Sequence, residues 1–163
     1  MNIALHIMIT PVTFGAMEFM AWFSHKYIMH GFLWVLHKDH HQPQKGWFER
    51  NDTFFIFYAA ISTGLLIAWG EGVFEYGLSI GLGILFYGIS YFVVHDVFIH
   101  QRLSWFKRTD NRYFRAIRKA HKVHHKNLGK GKGECCGMLV VPTKYFKDCL
   151  LYISDAADEE QIV

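Results

Sequence analysis

Charge is scarce in this chain of 163 residues: only 19% of them are charged, against about 25% in an ordinary soluble domain. Apolar residues reach 52% and aromatic ones 17%, which excludes an intrinsically disordered chain. Cysteine is rarer still. Cys135, Cys136 and Cys149 form no CxxC pair, so neither a disulfide scaffold nor a thiolate zinc site is expected, and the neighbours Cys135 and Cys136 should stay reduced. The N-terminus, MNIALHIM, lacks a basic region and a small-residue cleavage site, which argues against a removable signal peptide. No dinucleotide fingerprint occurs, and GKGKG at 129–133 lacks the spacing and the Ser/Thr of a phosphate loop. Electrons for any redox chemistry must therefore come from outside the chain.

Two long runs carry no charge at all, Thr53 to Gly70 and Tyr76 to His95. Each is about 17 or more residues, or roughly 25 Å of helix, just enough to cross a bilayer core. Gly77 and Gly81 form a GxxxG step suited to close helix packing in lipid. A third run, Ile3 to Phe23, contains Pro11, Gly15 and one acid, Glu18, and reads as a retained membrane helix because proline is tolerated in such spans. Spans at about 3–23, 53–70 and 76–94 leave all 17 Lys and Arg residues on one side, and the positive-inside rule makes that side cytoplasmic. Residues 134–153 are a candidate fourth apolar element, although Pro142, Lys144, Lys147 and Asp148 oppose a full crossing. The expected architecture is a single all-α integral membrane domain over 1–163. It has three to four transmembrane helices and a cytoplasmic helical cap rich in histidine.

Histidine is what the chain has in excess. Ten of its eleven histidines fall into a duplicated pattern: His25 and His30, then His37, His40 and His41; His95 and His100, then His121, His124 and His125. Each half reads HxxxxH followed by HxxHH, offset by 70 residues in the first motif and 84 in the second. At about 100° per residue the three histidines of each HxxHH share one helix face. Five-residue spacing does not do so on a regular helix, so His25 and His30 either flank a metal or lie on an irregular helix. Imidazole is the commonest metal ligand, and ten imidazoles exceed what one ion takes. A dinuclear metal site at the cytoplasmic membrane face follows. Iron is the expected metal if the task is oxygen activation beside a lipid. Asp39 and Asp96, inside the histidine motifs, are candidate acceptors for imidazole N–H groups.

The stretches HKYIMHGFLWVLHKDHHQPQKGWFERND, HDVFIHQR and RKAHKVHHKNLGKGKGE closely resemble the bacterial beta-carotene 3-hydroxylases of the fatty acid hydroxylase/sterol desaturase superfamily, over roughly residues 10–146. HxxHH marks the superfamily, whereas HKYIMHG and HDVFIHQR are similar to the carotenoid hydroxylases within it. The resemblance implies an O2-dependent non-haem centre of two iron ions (Fe2+/Fe3+), a carotenoid substrate with a beta-ionone ring, and a product such as beta-cryptoxanthin or zeaxanthin. It also implies a ferredoxin and ferredoxin reductase as electron donor, and a place in the bacterial inner membrane. The segment from Gln101 to Lys132 carries eleven bases against one acid, Asp110, and is a docking face either for such an acidic donor or for anionic lipid heads. No nucleic-acid partner is expected.

A long apolar substrate would reach the metals laterally between helices, and Phe54, Phe57, Tyr58, Phe86, Tyr87 and Tyr91 are candidates to line its tunnel. Trp22, Trp34, Trp47 and Trp105 read as interfacial anchors. Two other readings keep the histidines: a fatty acyl or sterol hydroxylase or desaturase, and a non-enzymatic membrane metal-binding protein. The second requires ionisable residues deep in the spans, which the charge-free runs oppose.

Overall fold

The computed structural model describes residues 3–42, 46–103, 105–106, 108–131 and 135–147. Every regular element among them is helical: α1 (Ile3–Phe23), α2 (Trp34–His41), α3 (Asp52–Gly70), α4 (Gly77–Tyr91), α5 (Arg112–His125) and α6 (Lys144–Lys147). Two π-helical segments, Ser24–Phe32 and Phe92–Ile99, continue α1 and α4 without a break. Among the described residues three helices are long and apolar enough to cross a membrane, at Ile3–Phe32, Asp52–Gly70 and Gly77–Ile99. The expected spans thus appear, the first and third lengthened by their π-helical ends. Of the suspected fourth element, only the four residues of α6 are helical among the described ones, far short of a bilayer crossing. The part of it after Lys147, together with Cys149 and the acidic tail, lies outside the described residues.

α4 is the middle of the bundle. It packs on both α1 and α3, which pack on α4 rather than on each other. Its most apolar stretch is 39% buried, against 11% for the first span and 6% for α3. The glycines explain how it fits there. A Cβ on Gly77 would lie 2.3 Å from the Leu65 carbonyl oxygen, and one on Gly81 would meet Leu66 at 2.9 Å, so this face lies against α3. A Cβ on Gly83 would lie 2.6 Å from Thr13 Cβ, so that position lies against α1. Small residues at these positions let helix backbones approach where lipid offers no hydrophobic drive.

Polar side chains fasten the bundle. Ser62 Oγ donates to the Gly81 carbonyl at 2.7 Å, tying α3 to α4. Glu18, the one acid of α1, accepts at Oε1 from the backbone N–H groups of Met138, Leu139 and Val140, each at 2.9 Å. Its Oε2 accepts from the Tyr87 hydroxyl at 2.7 Å. A carboxylate in an apolar helix is costly unless saturated in this way. The result pins residues 138–140 to the bundle.

The cap closes beneath. Asn111 caps α5 by accepting from the N–H groups of Tyr113 and Phe114. The apolar face of α5 puts Ile117 against Val94, Phe98, Ile99 and Met138, and puts Ala116 and Ala120 against Tyr145. The opposite face carries the basic residues, among them exposed Arg112, Lys122 and Lys126. Among the described residues Cys135 and Cys136 form no disulfide.

Candidate metal centre

α2 and α5 each turn three imidazoles to one face, as the HxxHH spacing requires. The π-helical segments solve the harder case. Hydrogen bonds from Leu33 N to Ile28 O and from His100 N to His95 O span five residues instead of four. This winding brings residues five apart into line: the His25 and His30 rings stack with centroids 5.1 Å apart, and those of His95 and His100 lie 4.5 Å apart. All ten histidines of the duplicated pattern converge between these four segments.

They form two groups. His25, His30, His37, His41 and His124 offer five ring nitrogens that all lie within 4.8 Å of one another, and His40, His95, His100 and His121 offer four. His125 bridges the groups, its ring stacked on His41 at 4.5 Å and lying 4.5 Å from His121 and 4.7 Å from His40. Its Nε2 is buried and makes no hydrogen bond. Both groups draw from both halves of the repeat. The eleventh histidine, His6, lies elsewhere and bonds Ser79.

The tautomers follow from the outer nitrogens. Nδ1 of His25 meets the Cys136 carbonyl at 3.1 Å, that of His30 the Lys130 carbonyl at 3.1 Å, that of His37 Asn51 Oδ1 at 2.7 Å, and that of His41 the Asn127 carbonyl at 3.0 Å. In the other group, Nδ1 of His40 meets Glu49 Oε2 at 2.8 Å, and that of His95 meets Asp96 Oδ2 at 3.4 Å. Each acceptor is an oxygen, so Nδ1 must carry the proton and Nε2 a lone pair. Yet Nε2 of His37 lies 3.1 Å from that of His25 and 3.2 Å from that of His41, and those of His40 and His95 are 3.1 Å apart.

Lone pairs this close repel unless a cation sits among them. Protonation of the rings is not the remedy. Burial pulls His37 down to about 2 and His41 to about 4, and burial followed by repulsion from the neighbouring rings lowers His40 and His121 well below the ordinary range. The donor set therefore fits metal ions. At a metal–nitrogen bond of about 2.1 Å, right-angle ligands lie about 3.0 Å apart and tetrahedral ones about 3.4 Å. The close Nε2 pairs, from 2.9 to 3.2 Å, suit five- or six-coordinate ions better than a closed tetrahedral zinc.

The two aspartates, alike as candidate acceptors for imidazole N–H groups, differ in the structure. Asp96 lies at the end of a long contact with His95 while its other oxygen pairs with Arg102 Nε at 3.1 Å. Asp39 accepts instead from the Arg50 backbone N–H at 2.7 Å, and its second oxygen has no partner. It sits about 200° around α2 from His37, away from the imidazole face. The acceptors that do hold the rings include the side chains of Glu49 and Asn51, outside the histidine motifs, and three backbone carbonyls, of Cys136, Lys130 and Asn127, that no side-chain pattern could reveal. Trp34 also departs from expectation, packing on His30 and His41 at 5.2 and 5.4 Å. Trp47 and Trp105 are largely exposed, as interfacial anchors would be.

A cleft of about 70 Å³, open on one side to the surroundings, leads from the bundle to this centre. Met17 and Ala21 of α1, Phe54, Phe55 and Tyr58 of α3, and Ile84, Tyr87, Gly88 and Tyr91 of α4 line it, and Asn51, His95 and Asp96 meet it at the metal end. Four of the six tunnel candidates, Phe54, Tyr58, Tyr87 and Tyr91, face it. Phe57 and Phe86 do not: they are 58% and 47% exposed and point outward, Phe86 about 160° around α4 from Gly88. Ser24 Oγ and the Tyr58 hydroxyl, 2.7 Å apart, join the walls.

The fatty acid hydroxylase family model matches residues 10–140. A beta-carotene hydroxylase of Pantoea ananas is 38% identical over 135 residues, covering 83% of this chain and 77% of the relative. One from Pseudescherichia vulneris is 41% identical, over 71% of this chain and 65% of the relative. The chloroplastic beta-carotene 3-hydroxylase 1 of Arabidopsis thaliana is 39% identical over 71% of this chain but only 38% of its own length. No solved structure matches. The chain belongs to the fatty acid hydroxylase family.

Proposed function

We propose that this membrane protein hydroxylates C3 of the beta-ionone ring of beta-carotene, giving beta-cryptoxanthin and then zeaxanthin. One observation carries the reading: two groups of neutral imidazoles, built for a pair of cations, stand at the end of an aromatic cleft between membrane helices. The bacterial and plastid relatives named above add the substrate. Each turnover takes one C–H bond, O2, two electrons and two protons to C–OH and water.

The ten histidines His25, His30, His37, His40, His41, His95, His100, His121, His124 and His125 would hold two iron ions, which supply the reductive activation of O2 needed to attack an unactivated C–H bond. The rest is the work of the chain. The cleft lies between α1 and α3 with α4 as its floor, so a bilayer-soluble polyene gains lateral access without leaving lipid. Phe54, Phe55 and Tyr91 grip the ring by apolar contact and keep water from the reacting carbon. The hydroxyls of Tyr58 and Tyr87 are turned to Ser24 and Glu18, so they do not compete for the substrate. His95, whose ring lies tilted against that of Tyr91 at 4.7 Å, brings the second group of imidazoles to the cleft's inner end.

Electrons come from a small acidic carrier of ferredoxin type. It would dock on the basic outer face of α5, whose inner face carries His121, His124 and His125. A donor seated there lies about one helix diameter, roughly 10 Å, from the metals. The excess of basic residues supports a cytoplasmic position for this face, with the spans in the inner membrane. Expression in bacteria that accumulate beta-carotene tests the reading. Zeaxanthin by mass and absorption is the expected result; unchanged pigment beside hydroxylated acyl lipid would overturn it.

A further inference from the structure

The two imidazole groups differ in what stands behind them. In the group of five, four rings donate Nδ1–H to neutral oxygens: the carbonyls of Cys136, Lys130 and Asn127, and the amide of Asn51. In the group of four, two rings face carboxylates: His40 meets Glu49 at 2.8 Å, and His95 meets Asp96 at 3.4 Å. A carboxylate draws the Nδ1 proton toward itself, makes Nε2 a stronger donor, and so favours the more highly charged state of the ion it holds. A neutral carbonyl does so far less.

Arg102 organises the charged side. Its guanidinium lies 3.1 Å from Glu49 Oε2, the same oxygen that receives His40, 2.9 Å from Asp52 Oδ1, and 3.1 Å from Asp96 Oδ1. One guanidinium thus meets three carboxylates, and negative charge remains in excess on this side. The contacts also fix both carboxylates against their rings, since the Asp52 carboxylate in turn accepts from the Glu49 backbone N–H at 3.0 Å. The Glu49 and Arg102 side chains are only about a fifth exposed, so water screens them weakly.

Resting on the di-iron reading above, we infer that the two metal positions are electronically unequal: Glu49, held by Arg102, biases the ion at His40, His95, His100 and His121 toward the oxidised state, while the ion at His25, His30, His37, His41 and His124 is reduced more readily. Glu49 is a positioning residue acting through His40. The inequality gives incoming electrons an order, and it puts the ion that is reduced last beside the cleft, where His95 and Asp96 lie.

The full-length protein loaded with 57Fe in detergent, reduced stepwise with dithionite and followed by Mössbauer spectroscopy, tests this. Half of the iron should become ferrous before the rest. Glu49→Gln should bring the two conversions together, and Asn51→Asp, which gives His37 a carboxylate, should also narrow the gap without touching Glu49. In a Co2+ titration of the metal-free protein, Glu49→Gln should weaken one of the two binding steps by about 10–100-fold and leave the other in place. Irons that reduce together in the unmodified protein, or a Glu49→Gln effect equal at both steps or absent from both, overturn the inequality. Uptake of fewer than two metal ions by the unmodified protein overturns the di-iron reading itself, and the stoichiometry alone separates that failure from the other.

Discussion

His25 and His30 stack 5.1 Å apart although five residues separate them, because the helix between them is wound with hydrogen bonds that span five residues. His95 and His100 make the same close approach in the second half of the chain, edge to face at 4.5 Å. On a regular helix the two members of each pair would point about 140° apart. The wide turn is what lets each membrane helix deliver two imidazoles, instead of one, to the cap beneath it.

Replacement of one inner imidazole in each group gives the first prediction. His40→Ala and His124→Ala should each abolish hydroxylation and lower the metal content, while the protein still inserts into membranes. Pigment analysis, metal analysis and membrane fractionation read the three quantities. Substantial activity in both variants would contradict the assigned centre.

The cleft makes a prediction that separates facing from non-facing aromatics. A Cβ at Gly88 would meet only Phe55, at 3.8 Å, so Gly88→Phe can be built but fills the passage. Zeaxanthin formation should fall by about 100-fold, the usual scale of a displaced reacting centre, with both metals retained. Phe57→Ala and Phe86→Ala, which alter outward rings, should leave product formation near that of the unmodified protein.

Helix contact through glycine is a matter of stability rather than chemistry. Gly83→Val forces a Cβ to within 2.6 Å of Thr13 and 2.8 Å of the Thr10 carbonyl, and should cost about 1–3 kcal/mol. At Gly64 nothing lies within 4 Å of an added Cβ, so Gly64→Ala should be neutral or stabilise by up to about 1 kcal/mol. Thermal unfolding in detergent compares the pair.

Glu18 predicts a graded response. Alanine leaves three backbone N–H groups and the Tyr87 hydroxyl without an acceptor, at about 1–3 kcal/mol for each group that water cannot reach. Glutamine keeps an acceptor oxygen for the N–H groups and should be much milder. Because residues 138–140 adjoin Cys136, whose carbonyl holds His25, Glu18→Ala should also weaken metal retention. Limited proteolysis and metal analysis would show both effects.

Sequence by itself determined what depends on neighbours along the chain. Charge-free runs of bilayer length gave the three spans, and the three-and-four spacing of HKDHH and HKVHH gave two helix faces of imidazole. The duplication of the motifs announced the two imidazole groups that could each hold a metal, and the motif residues carried the resemblance to the family that the comparisons bear out. Tertiary structure decided whatever joins distant segments. Glu49 and Asn51 look like ordinary loop residues until folding sets them behind His40 and His37, and the carbonyl of Cys136 has no sequence signature at all. Phe57 and Tyr58 are adjacent aromatics in the chain, yet only the placement of α4 turns one to the cleft and the other to the lipid. Local spacing fixes which groups share a helix face; which group answers them across space depends on packing, and packing is a property of the whole chain.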